Sequence, residues 1–419
     1  MYLLCDANAF YCACEQLFRP DLKGKPVIVL TNNDGACAAL NKEAKFLGIK
    51  RGQPYFEMKN IIKKHNVTAF SSNYALYGNI SNRVMTLLES MAPKLTIYSI
   101  DEAVMDIQGM ESVMPLEVFG RQVQQRVLKE IGVNTGIGVA QTLTLMKLAN
   151  YAAKKWPATQ GVVVLTDRER QRKLMALVPV GDVWGVGRKI SVRLNSMGIK
   201  TALQLADSNL QLIRKTFGVV LERTCRELNG IDCISIENLS AKEQIIISRS
   251  FGERVTQLQD MRQAVCQYAE RAAEKLRQEH QYCRQISVFI RCSPYSPEPY
   301  YGNNANQTLL LATQDTRDIV AAAMRGLDTI WKGGYRYQKA GIILNDFCSR
   351  PGQIDMFDDS QPKANSEQLM KAIDRINQTG LGKIWFAGQG IDKGWQMKRE
   401  LLSPAYTTQW SNLPEAMIK

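Results

Sequence analysis

The stretch TIYSIDEAVMDI, residues 96–107, alternates apolar and polar positions like a strand, yet it carries an acidic pair, Asp101 and Glu102, at its centre. Successive side chains of a regular strand point to opposite faces, so one of two adjacent carboxylates would face the core. A turn between TIYSI and AVMDI removes that conflict, because a hairpin tip lets both carboxylates project toward one point in front of a sheet. An isolated Asp-Glu pair is most often a solvated acidic turn. A third carboxylate reverses that weighting, and Asp6 stands at the end of the apolar strand MYLLCD. Two Mg²⁺ ions about 3.5–4 Å apart require a cluster of hard oxygen ligands. Asp6, Asp101 and Glu102 can supply it if their strands are neighbours.

Around these strands the first segment interleaves KPVIVLTN, NTGIGVA and GVVVL with helical patterns such as FGRQVQQRVLKEIG and TLTLMKLANYAAKKW. Strands alternating with crossover helices predict an α/β core with a mixed sheet. From Asp167 to Ile231 the pattern is helical and basic, and CISIENLSAKEQ then reads as a linker. Between residues 245 and 347 the order strand, helix, strand occurs twice, which predicts a duplicated α+β module with a four-stranded sheet. Residues 348–419, rich in Gly, Pro, Ser and Gln, read as a partly disordered docking tail.

At 419 residues the chain exceeds one ordinary core, and about two to four domains are expected. With 45% hydrophobic and 22% charged residues it has ordinary globular composition. A formal net charge of +13 draws it toward a polyanion, nucleic acid first. The ten cysteines include no C-x-x-C, and only His65 and His280 could assist them, so a zinc site is not expected. The cysteines read as reduced thiols. The N-terminus lacks a basic leader and no run is long enough to span a bilayer, so a cytoplasmic protein without a membrane partner is expected.

The segment DANAFYCACE places Phe10 and Tyr11 within about one turn of Asp6. An aromatic there can stack under a sugar and exclude a 2′-hydroxyl by contact; the plainer alternative is a core aromatic on a helix packed against the sheet. In the helical segment, VWGVGRKISVRL sets Gly185 and Gly187 in a turn opening a basic helix that begins with Arg188 and Lys189. Backbone N–H groups of such a turn can bind a DNA phosphate without reading sequence. A lone G-x-G is commonly just a turn, and the neighbouring positive charges favour phosphate.

The ordered series CDANAFYCACE, GKPVIVLTNNDG, EAKFLGIKRGQP, SSNYALYGNISNRV, YSIDEAVMDI, GIGVAQT, KLANYAAKK, VWGVGRK, SRSFGER, EKLRQEHQYCR, YQKAGIILNDF, FAGQGI and SPAYTT resembles the Y-family translesion DNA polymerases, and among them the UmuC type. It spans nearly the whole chain. The resemblance implies a right-hand polymerase, multidomain α/β and α+β. Residues 1–18 and 76–166 would form a mixed-sheet palm, 19–75 small fingers and 167–231 a helix-hairpin-helix thumb. Residues 232–244 would be the linker, 245–347 an α+β little finger, and 348–419 a C-terminal tail. It implies error-prone translesion DNA synthesis in the SOS response to DNA damage, without a proofreading exonuclease, by two-metal-ion transfer of dNTPs to a primer 3′-hydroxyl.

Residue by residue, the resemblance makes Asp6 and Asp101 bridging Mg²⁺ ligands. Glu102 becomes the ligand of the ion that activates the primer, and the carbonyl of Ala7 an added ligand. Tyr11, with Phe10 beside it, becomes the gate against ribonucleotides, and Lys45 and Lys154 hold the triphosphate. Gly185, Gly187, Arg188 and Lys189 match a helix-hairpin-helix contact to DNA, and Ser248 and Arg249 a backbone-contacting edge. Gln353, Met356 and Phe357 of QIDMF match a sliding-clamp-binding peptide. Implied partners are primer-template DNA, dNTP, processed UmuD-type subunits, a RecA filament and the sliding clamp.

Two positions depart from the family pattern. Leu143 stands where relatives usually carry lysine, which predicts a missing basic contact that Lys147 and Lys154 would have to cover. Val104 replaces an aromatic, a change in packing behind the hairpin. Two rival functions remain: another two-metal palm such as a nucleotidyl cyclase, and a catalytically silent DNA-binding scaffold. The basic helical segment and third domain weigh against the first, and three carboxylates held together against repulsion weigh against the second.

Overall fold

The structure, a computed structural model, describes residues 1–235, 242–349, 363–379, 382–391 and 393–413. The chain divides into two compact units, Met1–Leu239 with Glu400–Lys419, and Ser240–Arg399.

Unit 1 begins with β1 (Tyr2–Ala7) and α1 (Phe10–Leu17), followed by β2 (Val27–Leu30), β3 (Cys37–Leu40), α2 (Lys42–Phe46), α3 (Tyr55–His65) and β4 (Thr68–Ser71). Next come α4 (Tyr74–Glu89), β5 (Lys94–Ile97), β6 (Glu102–Asp106), α5 (Leu116–Ile131), β7 (Thr135–Ala140), α6 (Leu143–Lys155) and β8 (Val162–Val164). Five short helices close the unit: α7 (Arg168–Leu177), α8 (Arg188–Ser196), α9 (Ala202–Ala206), α10 (Leu210–Phe217) and α11 (Val219–Leu228). The main sheet has the order β5-β6-β1-β7-β8, with β7 and β8 parallel and the other pairs antiparallel. It is the mixed sheet that the strand and helix alternation predicts.

Strand β1 lies at the centre of this sheet and is buried on both faces. Leu3, Cys5 and Ala7 join one core with α1, α4 and α5, while Leu4 joins another with α6 and the helical segment. That is why MYLLCDA reads as a continuous apolar run rather than an alternation. The smaller sheet, β3-β2-β4, sends Val27 and Val29 into the first core and Ile28 and Leu30 into a third with Ala44, Ile49 and Met58.

Unit 2 contains β9 (Ile245–Val255), α12 (Leu258–Gln278), β10 (Tyr282–Arg291), β11 (Gly302–Thr313), α13 (Thr316–Ile330) and β12 (Tyr337–Cys348), then α14 (Ser366–Gln378). Its four strands form an antiparallel sheet, β11-β10-β12-β9, as the repeated strand, helix, strand pattern predicts. The alanine-rich faces of α12 and α13 pack on it through Ala269, Ala272, Ala322 and Ala323.

The expected partly disordered tail differs over its described residues. Helix α14 buries Met370 and is clasped to α12 by Arg277, whose Nε and Nη2 donate to Asp374 at 2.6 and 2.7 Å. Trp395 enters the core of unit 2 between Phe251 and Tyr268, and Tyr406 enters that of unit 1. Single aromatic anchors separated by polar residues carry no periodic signal, so composition alone misreads this segment. Gln353, Met356 and Phe357 lie outside the described residues. All ten cysteines are reduced, as expected.

Candidate active site

The hairpin and the first strand meet as the acidic pattern predicts. Strands β5 and β6 pair antiparallel around residues 98–101, and β6 pairs with β1 in the register Asp6↔Glu102. The turn is held by the Tyr98 and Ser99 N–H groups, both donating to Glu102 O at 3.0 Å. The Ala7 N–H donates to Asp101 O at 2.9 Å, which fixes the turn against the end of β1. Asp101 therefore belongs to the turn, whereas Glu102 already begins the strand.

The structure brings Asp6 and Glu102 together but turns the third carboxylate aside. Asp101 Oδ1 accepts the Ser99 hydroxyl at 2.6 Å, and among the described residues no three acidic, cysteine or histidine side chains form a metal-holding cluster. Three converging carboxylates repel one another unless countercharge lies among them. Two lysines of α6 supply countercharge to two of them: Lys154 Nζ lies 2.5 Å from Asp6 Oδ2, and Lys147 Nζ 2.7 Å from Glu102 Oε2. Asp101 takes a neutral donor.

The electrostatics follow from that geometry. Burial pushes the Asp6 carboxyl up to about 7, with Lys154 pulling against it and Glu102 adding to the rise. At Glu102 burial acts in the same direction but is outweighed by the Lys147 ammonium and the bond to Asp6, which hold it below the usual carboxylate range. Burial thus holds Asp6 up while the Lys147 ammonium holds Glu102 down. All the donors here are hard oxygens, with Asp101 one peptide from Glu102 and bonded through its backbone to Ala7. This donor set suits a divalent cation of the Mg²⁺ class, whose charge would favour ionised Asp6.

Lysines reach the sheet because β7 carries Gly136 and Gly138 on the face toward α6. A Cβ on Gly138 would collide with the Asn150 N and lie 2.5 Å from the Met146 O, both backbone atoms of α6. A Cβ on Gly136 would lie 3.0 Å from the Lys154 Cγ. The Thr142 hydroxyl caps α6 by accepting from the Leu145 N–H, and the Asn150 amide donates to Gly136 O at 2.8 Å. Lys147 is the site residue that sequence reasoning named only as a substitute charge. Its ammonium also lies 4.4 Å from the Tyr98 ring centre.

Beside the acids, Ala9 adopts a left-handed conformation, φ 47°, at the start of α1, an unfavourable backbone for alanine of the kind found at functional turns. It sets the direction of Phe10 and Tyr11. Phe10, expected at the nucleotide, is 4% exposed and packs in the core, because the apolar face of α1 is laid on the sheet. Tyr11 is half-buried, stacked on Tyr77 with ring centres 4.4 Å apart, and near enough to Asp101 to feel its charge. Lys45 is exposed on α2.

Leu143, the position of the expected missing basic contact, is 1% exposed and shares a core with Leu4 and Val104. Both departures from the family pattern thus fall in one packed cluster behind the hairpin.

Farther along unit 1, Gly185 has φ +87° and Gly187 caps α8, whose first residues Arg188 and Lys189 are exposed. In unit 2, Ser248 and Arg249 pair with Gly341 and Ala340 on β12. Neighbouring strands carry Arg291 directly opposite Lys339. Burial, then the like charges of Arg291 and Arg249, hold the Lys339 ammonium below its usual range. Such gathered cations suit an anion, and Arg291 and Lys339 were missed because a single arginine or lysine on a strand reads as solvated.

Residues 5–151 match the model of the impB/mucB/samB family, residues 242–356 that of its C-terminal domain, and residues 367–416 a domain of unknown function, DUF4113. The protein UmuC of Salmonella typhimurium is 56% identical over 418 residues, covering 99% of both chains. DNA polymerase IV of Dehalococcoides mccartyi is 26% identical, covering 89% of this chain and 93% of its own. A solved Y-family DNA polymerase chimera matches with a TM-score of 0.64 at 20% identity, over 82% of this chain and 98% of that one, a shared fold.

Proposed function

The chain belongs to the impB/mucB/samB family, and on that footing we propose that it is a template-directed DNA polymerase for error-prone synthesis past lesions in the SOS response. The observation that carries the reading is the pairing of Asp6 with Glu102 at one register position, each matched to its own α6 lysine.

In this reading residues 1–18 and 76–166 are the palm, 19–75 the fingers, 167–231 the thumb and 245–347 the little finger. Asp6, Glu102 and the Ala7 carbonyl, joined by Asp101 once its carboxylate exchanges the Ser99 hydroxyl for a cation, would hold two Mg²⁺ ions. That pair would supply a lowered pKa at the primer 3′-hydroxyl and countercharge for departing pyrophosphate. Lys154 and Lys45 bind the triphosphate through charge-assisted hydrogen bonds, and Tyr11 presents its ring edge to the sugar 2′ position. The first-turn N–H groups of α8, with Arg188 and Lys189, grip a DNA phosphate. In unit 2, taken by itself, Ser248, Arg249, Arg291 and Lys339 offer a DNA backbone contact.

Recognition of a sliding clamp by Gln353, Met356 and Phe357, and docking to processed UmuD-type subunits and a RecA filament, rest on the sequence resemblance. A cytoplasmic location is part of the same proposal. Among the described residues no helix is long and apolar enough to cross a membrane.

Primer extension opposite an abasic site with Mg²⁺, comparing the unaltered chain with Asp101→Ala, tests the assignment. Extension should fall by about a thousandfold or more, as loss of a metal ligand at the reacting atoms removes about 4 kcal/mol of transition-state stabilisation. Equal extension by the two chains overturns the metal site.

A further inference from the structure

Residues 400–406, within the segment matched to a domain of unknown function, run along unit 1 as a strap. The Glu400 N–H donates to Asp34 Oδ2 at 2.9 Å. Ser71 and Leu402 form a parallel bridge, the Ser71 N–H donating to Leu401 O and the Leu401 N–H to Ser71 Oγ, each at 2.9 Å. The Asn73 amide donates to Ser403 Oγ at 3.0 Å and to Pro404 O at 3.4 Å. The Tyr406 ring lies flat on Phe18, 4.5 Å between centres. A loop bonded this closely has a defined position.

Behind the strap lies a buried acid. Glu15 of α1 is 0% exposed; its Oε1 accepts the Tyr77 hydroxyl at 2.7 Å, and its Oε2 has no hydrogen-bond partner. Burial raises the Glu15 carboxyl, and the hydroxyls of Tyr77 and Ser403 beside it act in the opposite sense. Tyr77 is itself fully buried and lies nearly parallel to Tyr11, at 14° and 4.4 Å, with Tyr74 edge-on to both at 6.2 Å. A buried carboxyl is costly and packs no better than a hydrophobe. What it does supply here is a directional bond that fixes one aromatic ring.

We propose that this strap is a specificity element: Ser403, by holding the Asn73 side chain that caps α4 one turn before Tyr77, and Glu15, by accepting the Tyr77 hydroxyl, together set the plane of the Tyr77 ring and with it the position of Tyr11 against the sugar. Glu15, Tyr77 and Ser403 are then positioning residues for the exclusion of ribonucleotides. The inference rests on the reading of Tyr11 as the sugar gate. It assigns a task to part of the C-terminal domain of unknown function. A ring freed to slide by even part of an ångström admits a hydroxyl that a fixed ring rejects.

The test uses the full-length chain, with accessory subunits if extension requires them, and reads the ratio of kcat/KM for a ribonucleoside to that for a deoxyribonucleoside triphosphate. Because both values come from one preparation, loss of folded protein cancels. Tyr77→Phe, Glu15→Gln and Ser403→Ala should each raise the ratio by about fivefold, the worth of one hydrogen bond, and Tyr11→Ala by more. Adding Tyr77→Phe to Tyr11→Ala should change nothing further. If Tyr11→Ala raises the ratio while the other three leave it unaltered, the positioning role is wrong and the gate stands. If Tyr11→Ala leaves it unaltered, the gate itself is wrong and the strap's role falls with it.

Discussion

Lys147 meets Glu102 across the gap between a helix and a strand, with 2.7 Å from Nζ to Oε2, and both side chains are largely buried, at 16% and 20% exposure. An ammonium and a divalent cation neutralise a carboxylate in the same way, so at this position they compete. Lys147→Ala leaves Glu102 beside Asp6 without its countercharge. In chelator the variant should lose about 1–2 kcal/mol of stability, and millimolar Mg²⁺ should restore most of it. Thermal unfolding in the two buffers measures the difference; an equal shift in both would mean that the lysine acts through packing alone.

Gly138 decides whether either lysine reaches the acids at all. Its would-be Cβ collides with backbone atoms of α6 on two sides, and backbone cannot rotate away as a side-chain tip can. Gly138→Ala should lift α6 from β7 at a cost of about 3 kcal/mol, visible in urea denaturation. Because Lys147 and Lys154 ride on that helix, extension should fall with it. A variant of unchanged stability would show that the helix and strand are not held at the distance described.

The acidic pair was legible because its pattern is local: a hairpin joins neighbouring residues, and a regular apolar strand cannot keep two adjacent carboxylates on its solvated face. Asp6 was legible as the end of an apolar run. Lys147 was not, since one basic residue on an amphipathic helix looks like any solvated lysine until packing against Gly136 and Gly138 lays the helix over the sheet. Phe10 and Tyr11 were read together, yet a helix turns about 100° per residue, so the first enters the core and the second stays at its rim. Helix α14 did leave a signal in Leu369, Met370, Ile373 and Ile376 at helical spacing, which the polar composition around it concealed.

Asp315 is a second acid whose position has a measurable consequence. It caps α13 through the Arg317 N–H at 2.8 Å, binds the Arg317 guanidinium and accepts the Ser366 hydroxyl at 2.5 Å, joining the start of α14 to the start of α13. Burial raises its carboxyl, but the donors from Arg317 and Ser366 outweigh burial and hold it below the usual range. A carboxyl depressed in the folded state contributes its full stabilisation above an unfolded pKa of about 3.9, and loses it as the pH falls through the lower native value. Unit 2 should therefore weaken below about pH 4 by a component that Asp315→Ala abolishes. That substitution should cost about 2 kcal/mol near neutrality. Denaturant titrations of both chains at neutral and acid pH would expose a fault here if their difference did not narrow in acid.

Lys189 tests whether the basic turn before α8 touches DNA. It is exposed in the first turn of the helix, next to Arg188 and two residues beyond the cap Gly187. A lysine that neutralises one phosphate releases about one counterion, so Lys189→Ala should weaken primer-template binding to the same degree for every sequence. It should also reduce the slope of log affinity against log salt by about 1. Fluorescence anisotropy across a salt series separates this from a folding defect, which would lower the active fraction and leave the slope as it was. A change confined to particular template sequences would place Lys189 at a base edge and overturn the phosphate contact.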